Sequence, residues 1–219
     1  IKNLKRIRYT TSHPTDFTDD LVEVHKNCEK LMPLIHLPVQ SGSNKILREM
    51  NRKHSIEEYL KVIEKIKKVK PNIEFSSDFI IGYPGEEEQD FEKTLDLIKR
   101  VKFINSYSFL YSPRPGTVAG DLRQIDKTIL TKRLEKIQKQ LFENQTIMNK
   151  SLENKILNVL VENFTKEGTK MFGRSEYMTP VIFNGVKSDL GKIVHIKIKN
   201  SNRSTLFGEM INNSNQKVA

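Results

Sequence analysis

The stretch FSSDFIIGYPGEEEQDFEKTL, residues 75–95, runs from an apolar segment carrying a single acid, Asp78, into a turn at Gly82-Tyr83-Pro84-Gly85 and then into an acidic helix start. The helix places Phe91, Leu95, Ile98 and Val101 on one side, while Glu86, Glu87 and Glu88 near its N-terminus suit the positive end of its dipole. The acid is the anomaly. A carboxylate within a buried strand has to meet donors or cations, because an unpaired charge in an apolar interior is costly. A neighbouring strand or a polar ligand must supply them.

Working outward, strand-like and helix-like segments alternate. Residues 6–11, RIRYTT, read as a strand, and Thr18 is placed to cap a helix whose inner face is Leu21, Val24 and Cys28. The apolar run LIHLPVQ, residues 34–40, breaks at SGS and leads into the short helical pattern NKILREM. Ser55 and Glu58 form a capping box for a helix with Ile56, Tyr59, Leu60, Ile63 and Ile66 on one face, and Pro71 follows it. SYSFLYS, residues 106–112, is a fourth strand, and residues 126–153 read as a long basic helix. Strands joined in order through helices imply right-handed crossovers and a parallel sheet. The expected fold class is α/β. A closed barrel of this kind takes about eight such units, so residues 1–151 supply a partial parallel (β/α) arc.

Beyond residue 152 the texture changes to five short strand patterns punctuated by glycine, which indicate a small antiparallel β-barrel over residues 152–219. In VHIKIK, Val194, Ile196 and Ile198 alternate with His195, Lys197 and Lys199, so one face enters a core and the other displays basic groups. That segment holds ten Lys and Arg against six Asp and Glu, a balance of +4, within a chain of net charge +10. Such a balance suits either a solvated lysine face or a polyanionic partner. No apolar run is long enough to cross a bilayer, and the first residues lack a signal-peptide core, so the expected location is cytoplasmic with no membrane partner. The single cysteine, Cys28, reads as a small core residue and excludes an internal disulfide or a multi-thiolate metal site built from these 219 residues.

Ligands of parallel α/β sheets bind outside the carboxyl ends of the strands. The polar residues cluster there: Ser12 and His13, then Gln40, Ser41 and Ser43, then Asp78 and Gly82, then Tyr111, Ser112 and Arg114. A carboxamide and a carboxylate on neighbouring strands together suit a vicinal diol. Gly42 and Gly82 are expected to let a flat ring approach the backbone. No hydrolytic triad or phosphate-binding glycine loop is evident, and no residue is assigned a catalytic role.

IRYTTSHPTDFTDDLVE, LIHLPVQSGSNKILREMNRKHSIEEYL, FSSDFIIGYPGEEEQDFEKTLDLI and SYSFLYSPRPGT, in this order, closely resemble the tRNA methylthiotransferases of the MiaB type, which are radical S-adenosylmethionine enzymes; the final segment resembles the TRAM module, a small RNA-binding β-barrel. LPVQSGS and MNRKHS favour the tRNA enzymes over the relative that thiolates a ribosomal protein. The resemblance implies methylthiolation of isopentenyladenosine beside the anticodon, with an iron-sulfur cluster cleaving S-adenosylmethionine to a deoxyadenosyl radical. It implies cofactor contact by Gln40, Ser41, Asp78, Ile80 and Gly82, together with Ser12 and His13. On the substrate side it implies Tyr111 and Arg114, and tRNA contact by His195, Lys197 and Lys199. The family's CxxxCxxC loop and three further cluster cysteines do not occur in this sequence, so no metal ligand is assigned and no turnover is expected from these residues alone. Two further readings stand beside the fragment of a radical enzyme. One is a non-catalytic RNA-binding remnant, and the other is a half enzyme completed by a separate polypeptide.

Overall fold

The computed structural model describes residues 1, 3–10 and 14–211. The chain divides into two compact units, Ile1–Asn144 and Gln145–Ala219.

The first unit is built on parallel strands β1 (Leu34–His36), β2 (Glu74–Ser76), β3 (Asp78–Ile81) and β4 (Tyr107–Leu110). β1 pairs with β2 and β3 with β4, both parallel, and the isolated bridge Gln40↔Phe79 carries the first pairing on past β1. Only Ser77 separates β2 from β3, and there side-chain hydroxyls stand in for the ladder. Ser77 Oγ accepts the Val39 N–H (2.9 Å) and donates to Leu37 O (3.0 Å), and Ser106 Oγ accepts the Ser77 N–H (2.9 Å). The expected first strand over residues 6–11 is reduced to two isolated bridges, Ile7↔Leu31 and Thr10↔His36, among the described residues. The segment makes backbone pairs with the β1 side alone, and a ladder so sparsely bonded does not propagate.

Helices α1 (Asp19–Asn27), α2 (Asn44–Glu49), α3 (Ile56–Val69), α4 (Glu88–Val101), α5 (Val118–Asp121) and α6 (Lys127–Ser151) complete the order. The core lies between sheet and helices: Ile35, Leu37, Val39, Phe75, Phe79 and Ile81 meet Tyr59, Ile63 and Ile66 of α3, Phe91, Leu97 and Ile98 of α4, and Ile137 and Leu141 of α6. Tyr59 is fully buried, its hydroxyl donates to Leu37 O at 2.8 Å, and burial raises its pKa.

α1 corrects the expected phase. Val24 is 47% exposed, whereas His25 is buried, stacked on Phe17 and hydrogen-bonded to the Tyr9 hydroxyl. Burial, with Lys70 adding to it, pushes the His25 imidazole down to about 4, so it packs as a neutral ring. Thr18 does not cap the helix either, because its hydroxyl bonds to Asp20. The capping box of α3 forms as expected: Ser55 Oγ accepts the Glu58 N–H at 3.2 Å and Glu58 accepts the Ser55 N–H at 2.8 Å. Replacing Ser55 by Ala is expected to cost about 1 kcal/mol, read as a lowered urea midpoint with an unchanged slope.

In the second unit, β5 (Ile156–Phe164), β6 (Met171–Ser175), β7 (Pro180–Phe183), β8 (Ile193–Ser201) and β9 (Leu206–Met210) close into a barrel of order β5-β6-β7-β9-β8. Four pairings are antiparallel and β7·β9 is parallel. The barrel is therefore mixed, where the sequence suggests a wholly antiparallel one. Parity requires this, since directions cannot alternate around a closed ring with an odd number of strands. Register shifts at Val161/Asn163 and Ile198/Asn200 bend β5 and β8 around the core of Val159, Val161, Met171, Phe183, Ile196 and Ile198.

Candidate functional site

Side chains alternate across a strand, and parallel register keeps paired residues on one face. Ile35, Phe75, Phe79 and Ile81 turn towards the helices and are at most 1% exposed. The opposite face carries His36, Ser76, Asp78, Ile80, Tyr107 and Phe109 in register across β1 to β4. Tyr107 and Phe109 are 62% and 53% exposed, and their rings lie parallel with centroids 6.4 Å apart. This is the concave face of the arc, and it combines polar groups with uncovered aromatic surface.

Asp78 meets His36 there. His36 Nε2 lies 3.4 Å from Asp78 Oδ2, and its Nδ1 is hydrogen-bonded to Ser76 Oγ at 2.9 Å. The order serine, histidine, aspartate resembles a hydrolytic triad, but Ser76 is only 3% exposed and unsuited to attack a substrate. The sequence reading missed His36 by treating LIHLPVQ as one apolar run. Its phase, opposite to Ile35, Leu37 and Val39, was the available signal.

Gln40 is brought beside Asp78. Its N–H donates to Asp78 O and its carbonyl accepts from Ile80 N–H, both at 2.9 Å, and it holds φ at 72°, an uncommon conformation for a non-glycine residue. Its carboxamide makes no hydrogen bond among the described residues. Ile80 is half-buried on the same face. A part-exposed carboxylate and, on the neighbouring segment, a carboxamide in a residue 8% exposed stand beside an apolar residue, the kinds of group that a vicinal diol and a flat ring require.

The remaining assigned residues lie in differing surroundings. Ser41 is fully buried, lies 3.4 Å from Thr94 Oγ1 and accepts the Ser43 N–H at 3.1 Å, so its hydroxyl braces the turn and does not reach the rim. The clearances at Gly42 and Gly82 are filled by protein. A Cβ at Gly42 would lie 2.5 Å from Lys93 O and Thr94 Cα, and one at Gly82 would lie 2.0 Å from Leu130 Cδ2. Ser12 and His13 lie outside the described residues. Tyr111 packs edge-on against Tyr83 at 5.1 Å, and Arg114 is exposed.

Glu86 is more than a dipole partner. Its buried carboxylate accepts the Gly82 N–H and the Arg133 guanidinium through Oε2, both at 2.9 Å, while Oε1 has no hydrogen-bond partner. Burial raises its pKa despite Arg133. Arg133 also bonds Glu88 Oε2 through Nε and Nη2 at 3.2 and 2.9 Å and stacks on Phe91. The pair fixes the turn that ends β3.

In the barrel, His195, Lys197 and Lys199 face outward from β8, while Ile196 and Ile198 face in. Lys199 is paired with Glu209 at 2.9 Å. Among the described residues no helix is long and apolar enough to cross a membrane, and no group of three or more His, Cys, Asp or Glu is arranged to hold a metal ion. The lone thiol of Cys28 cannot by itself fit an iron-sulfur cluster.

The Radical SAM superfamily pattern matches residues 1–98, and the TRAM domain pattern matches residues 150–211. A tRNA-2-methylthio-N(6)-dimethylallyladenosine synthase of Pelagibacter ubique (strain HTCC1062) is 64% identical over 216 residues, which is 99% of this chain and 48% of that protein. The synthase of the same name from Rickettsia akari (strain Hartford) is 48% identical, over 96% of this chain and 48% of its own length. The chain thus spans about half the length of the curated relatives it matches. Among solved structures, the coproporphyrinogen III oxidase of Escherichia coli, described as a radical SAM enzyme, aligns with a TM-score of 0.51 at 13% identity, covering 91% of this chain and 50% of that one. That likeness concerns the fold alone. Matched over nearly all its residues by these synthases, with a radical SAM segment followed by a TRAM barrel, the chain belongs to the methylthiotransferase family of the MiaB type, of whose members it represents about half.

Proposed function

We propose that the chain is the adenosyl-binding and RNA-binding portion of a tRNA methylthiotransferase that acts on a dimethylallyl-modified adenosine in the cytoplasm. The observation that carries this reading is the backbone pairing that brings Gln40 beside Asp78, Gln40 N–H to Asp78 O and Ile80 N–H to Gln40 O, with the Asp78 and Ile80 side chains together on the concave face. Asp78 would accept hydrogen bonds from the ribose hydroxyls of S-adenosylmethionine, Gln40 would donate to or accept from the same diol, and Ile80 would lie along the adenine. Together with an iron-sulfur cluster, the bound cofactor supplies one-electron chemistry for sulfur insertion into the substrate adenine. The thiolates for any cluster have to come from residues outside these 219, in the same or a separate polypeptide. Tyr111 and Arg114, at the end of β4, are assigned to the substrate side.

Asp78→Ala is expected to weaken binding of S-adenosylmethionine roughly tenfold to a hundredfold, the cost of removing a hydrogen bond to a charged group. Titration calorimetry on the 219-residue chain measures it, and Gln40→Ala should lose less. Unchanged affinity in both variants would sink the assignment.

A second reading, RNA binding without catalysis, is favoured by the outward row His195, Lys197 and Lys199. It predicts a tRNA affinity that falls steeply with salt in a gel-shift titration, with Lys197→Ala reducing the slope by about one. Affinity independent of salt contradicts it.

A further inference from the structure

We propose that His36 is a positioning residue for Asp78: it turns the carboxylate towards the ribose hydroxyls and is itself held by Ser76. The proposal rests on the cofactor reading above and extends it to a residue that does not touch the ligand.

The register pairs His36 with Ser76, which places the imidazole diagonally behind Asp78 on the same face. The side chains of His36 and Asp78 are 18% and 28% exposed, so the pair sits at the margin of the concavity, partly shielded from water. Ser76 is buried, and its hydroxyl reaches His36 Nδ1 at 2.9 Å. With the Ser76 hydroxyl donating to Nδ1, the ring N–H lies at Nε2, the atom 3.4 Å from Asp78 Oδ2. Each polar group in that chain then has a partner of the right kind, and Asp78 keeps its second oxygen for a ligand. A lone carboxylate on a short strand would rotate between solvent and the neighbouring strand. Tethered on one oxygen, it presents a fixed acceptor to a diol. Supporting groups of this kind orient first-contact carboxylates and imidazoles in other binding sites.

The test compares binding of S-adenosylhomocysteine and its 2′-deoxy analogue by calorimetry, on the 219-residue chain and on His36→Ala, His36→Gln and His36→Asn. The unsubstituted chain is expected to prefer the ribose form by about tenfold, the worth of one hydroxyl bond to a carboxylate. In His36→Ala that preference should collapse to about twofold or less, because an untethered Asp78 no longer discriminates. His36→Gln, whose amide nitrogen extends to the place of Nε2, should restore most of it, and His36→Asn, which stops at the place of Nδ1, should not. A purely structural role would lower affinity for both ligands alike and leave their ratio intact. An undiminished ratio in His36→Ala, or equal ratios in His36→Gln and His36→Asn if the alanine variant does not fold, overturns the positioning role alone. If the unsubstituted, folded chain binds neither ligand, the cofactor reading falls, and the positioning role falls with it.

Discussion

Arg133→Ala is expected to destabilise the first unit by about 3–5 kcal/mol, the cost of removing one partner from a buried ion pair. The guanidinium is 8% exposed and the Glu86 side chain 0% exposed, and Arg133 also bonds the Glu86 carbonyl at 3.2 Å. Its loss leaves a carboxylate in the interior with only the Gly82 N–H to stabilise it and removes the cation stacked on Phe91. Glu86→Gln is expected to cost much less, since the amide keeps an acceptor for Gly82 and Arg133 retains Glu88. The pH dependence follows from the direction of the shift. Burial holds the folded-state pKa of Glu86 above its ordinary 4.5. The stability tied to its protonated form is therefore fully present below that ordinary value and is lost as pH rises through the folded one. Without Arg133 the folded pKa climbs further, so the deficit of the variant should be smallest at pH 4.5 and widen towards about pH 8. Urea midpoints at both pH values measure it, and a deficit independent of pH would show that Arg133 acts by packing alone.

Gly42→Ala is expected to cost about 3 kcal/mol, the upper part of the range for overpacking a close contact, and to lower soluble yield. The obstacle is backbone. The new Cβ would lie 2.5 Å from Lys93 O and from Thr94 Cα, which cannot rotate away as a side-chain end would. α4 would have to withdraw, stretching the Gly42 N–H bond to Thr94 Oγ1 (2.8 Å) and the Ser43 hydroxyl bond to Asp90 (2.6 Å). Burial works to raise the Asp90 pKa. The Ser43 hydroxyl, the Glu87 N–H and Lys45 outweigh it and hold the carboxyl below its ordinary value, so loosening α4 should let that pKa rise. A thermal melt of the variant that matches the unsubstituted chain would contradict so tight an approach.

What was legible in the sequence was local. The capping box of α3, the outward row of β8 and the pairing of the Gln40 backbone with the strand that carries Asp78 all follow from periodicity within a few residues, together with the rule that parallel strands bring their carboxyl ends to one edge. What was not legible depended on partners distant in the chain. Glu86 reads as a dipole partner until Arg133, 47 residues on, arrives to bury it. The phase of α1 turned by one residue because Tyr9 and Phe17 offered His25 a ring and a hydroxyl. Ser41 and Gly42 read as ligand-facing until α4 closed over them. His36 lay between the two cases, visible by phase and hidden by apolar neighbours.

A crystal structure of the chain with S-adenosylhomocysteine tests the central claim most directly. The expected result is ribose hydroxyls within hydrogen-bond distance of the Asp78 carboxylate and the Gln40 carboxamide, with the adenine along Ile80. Density for the ligand elsewhere, or the same concave site occupied with both side chains turned from the sugar, would contradict it.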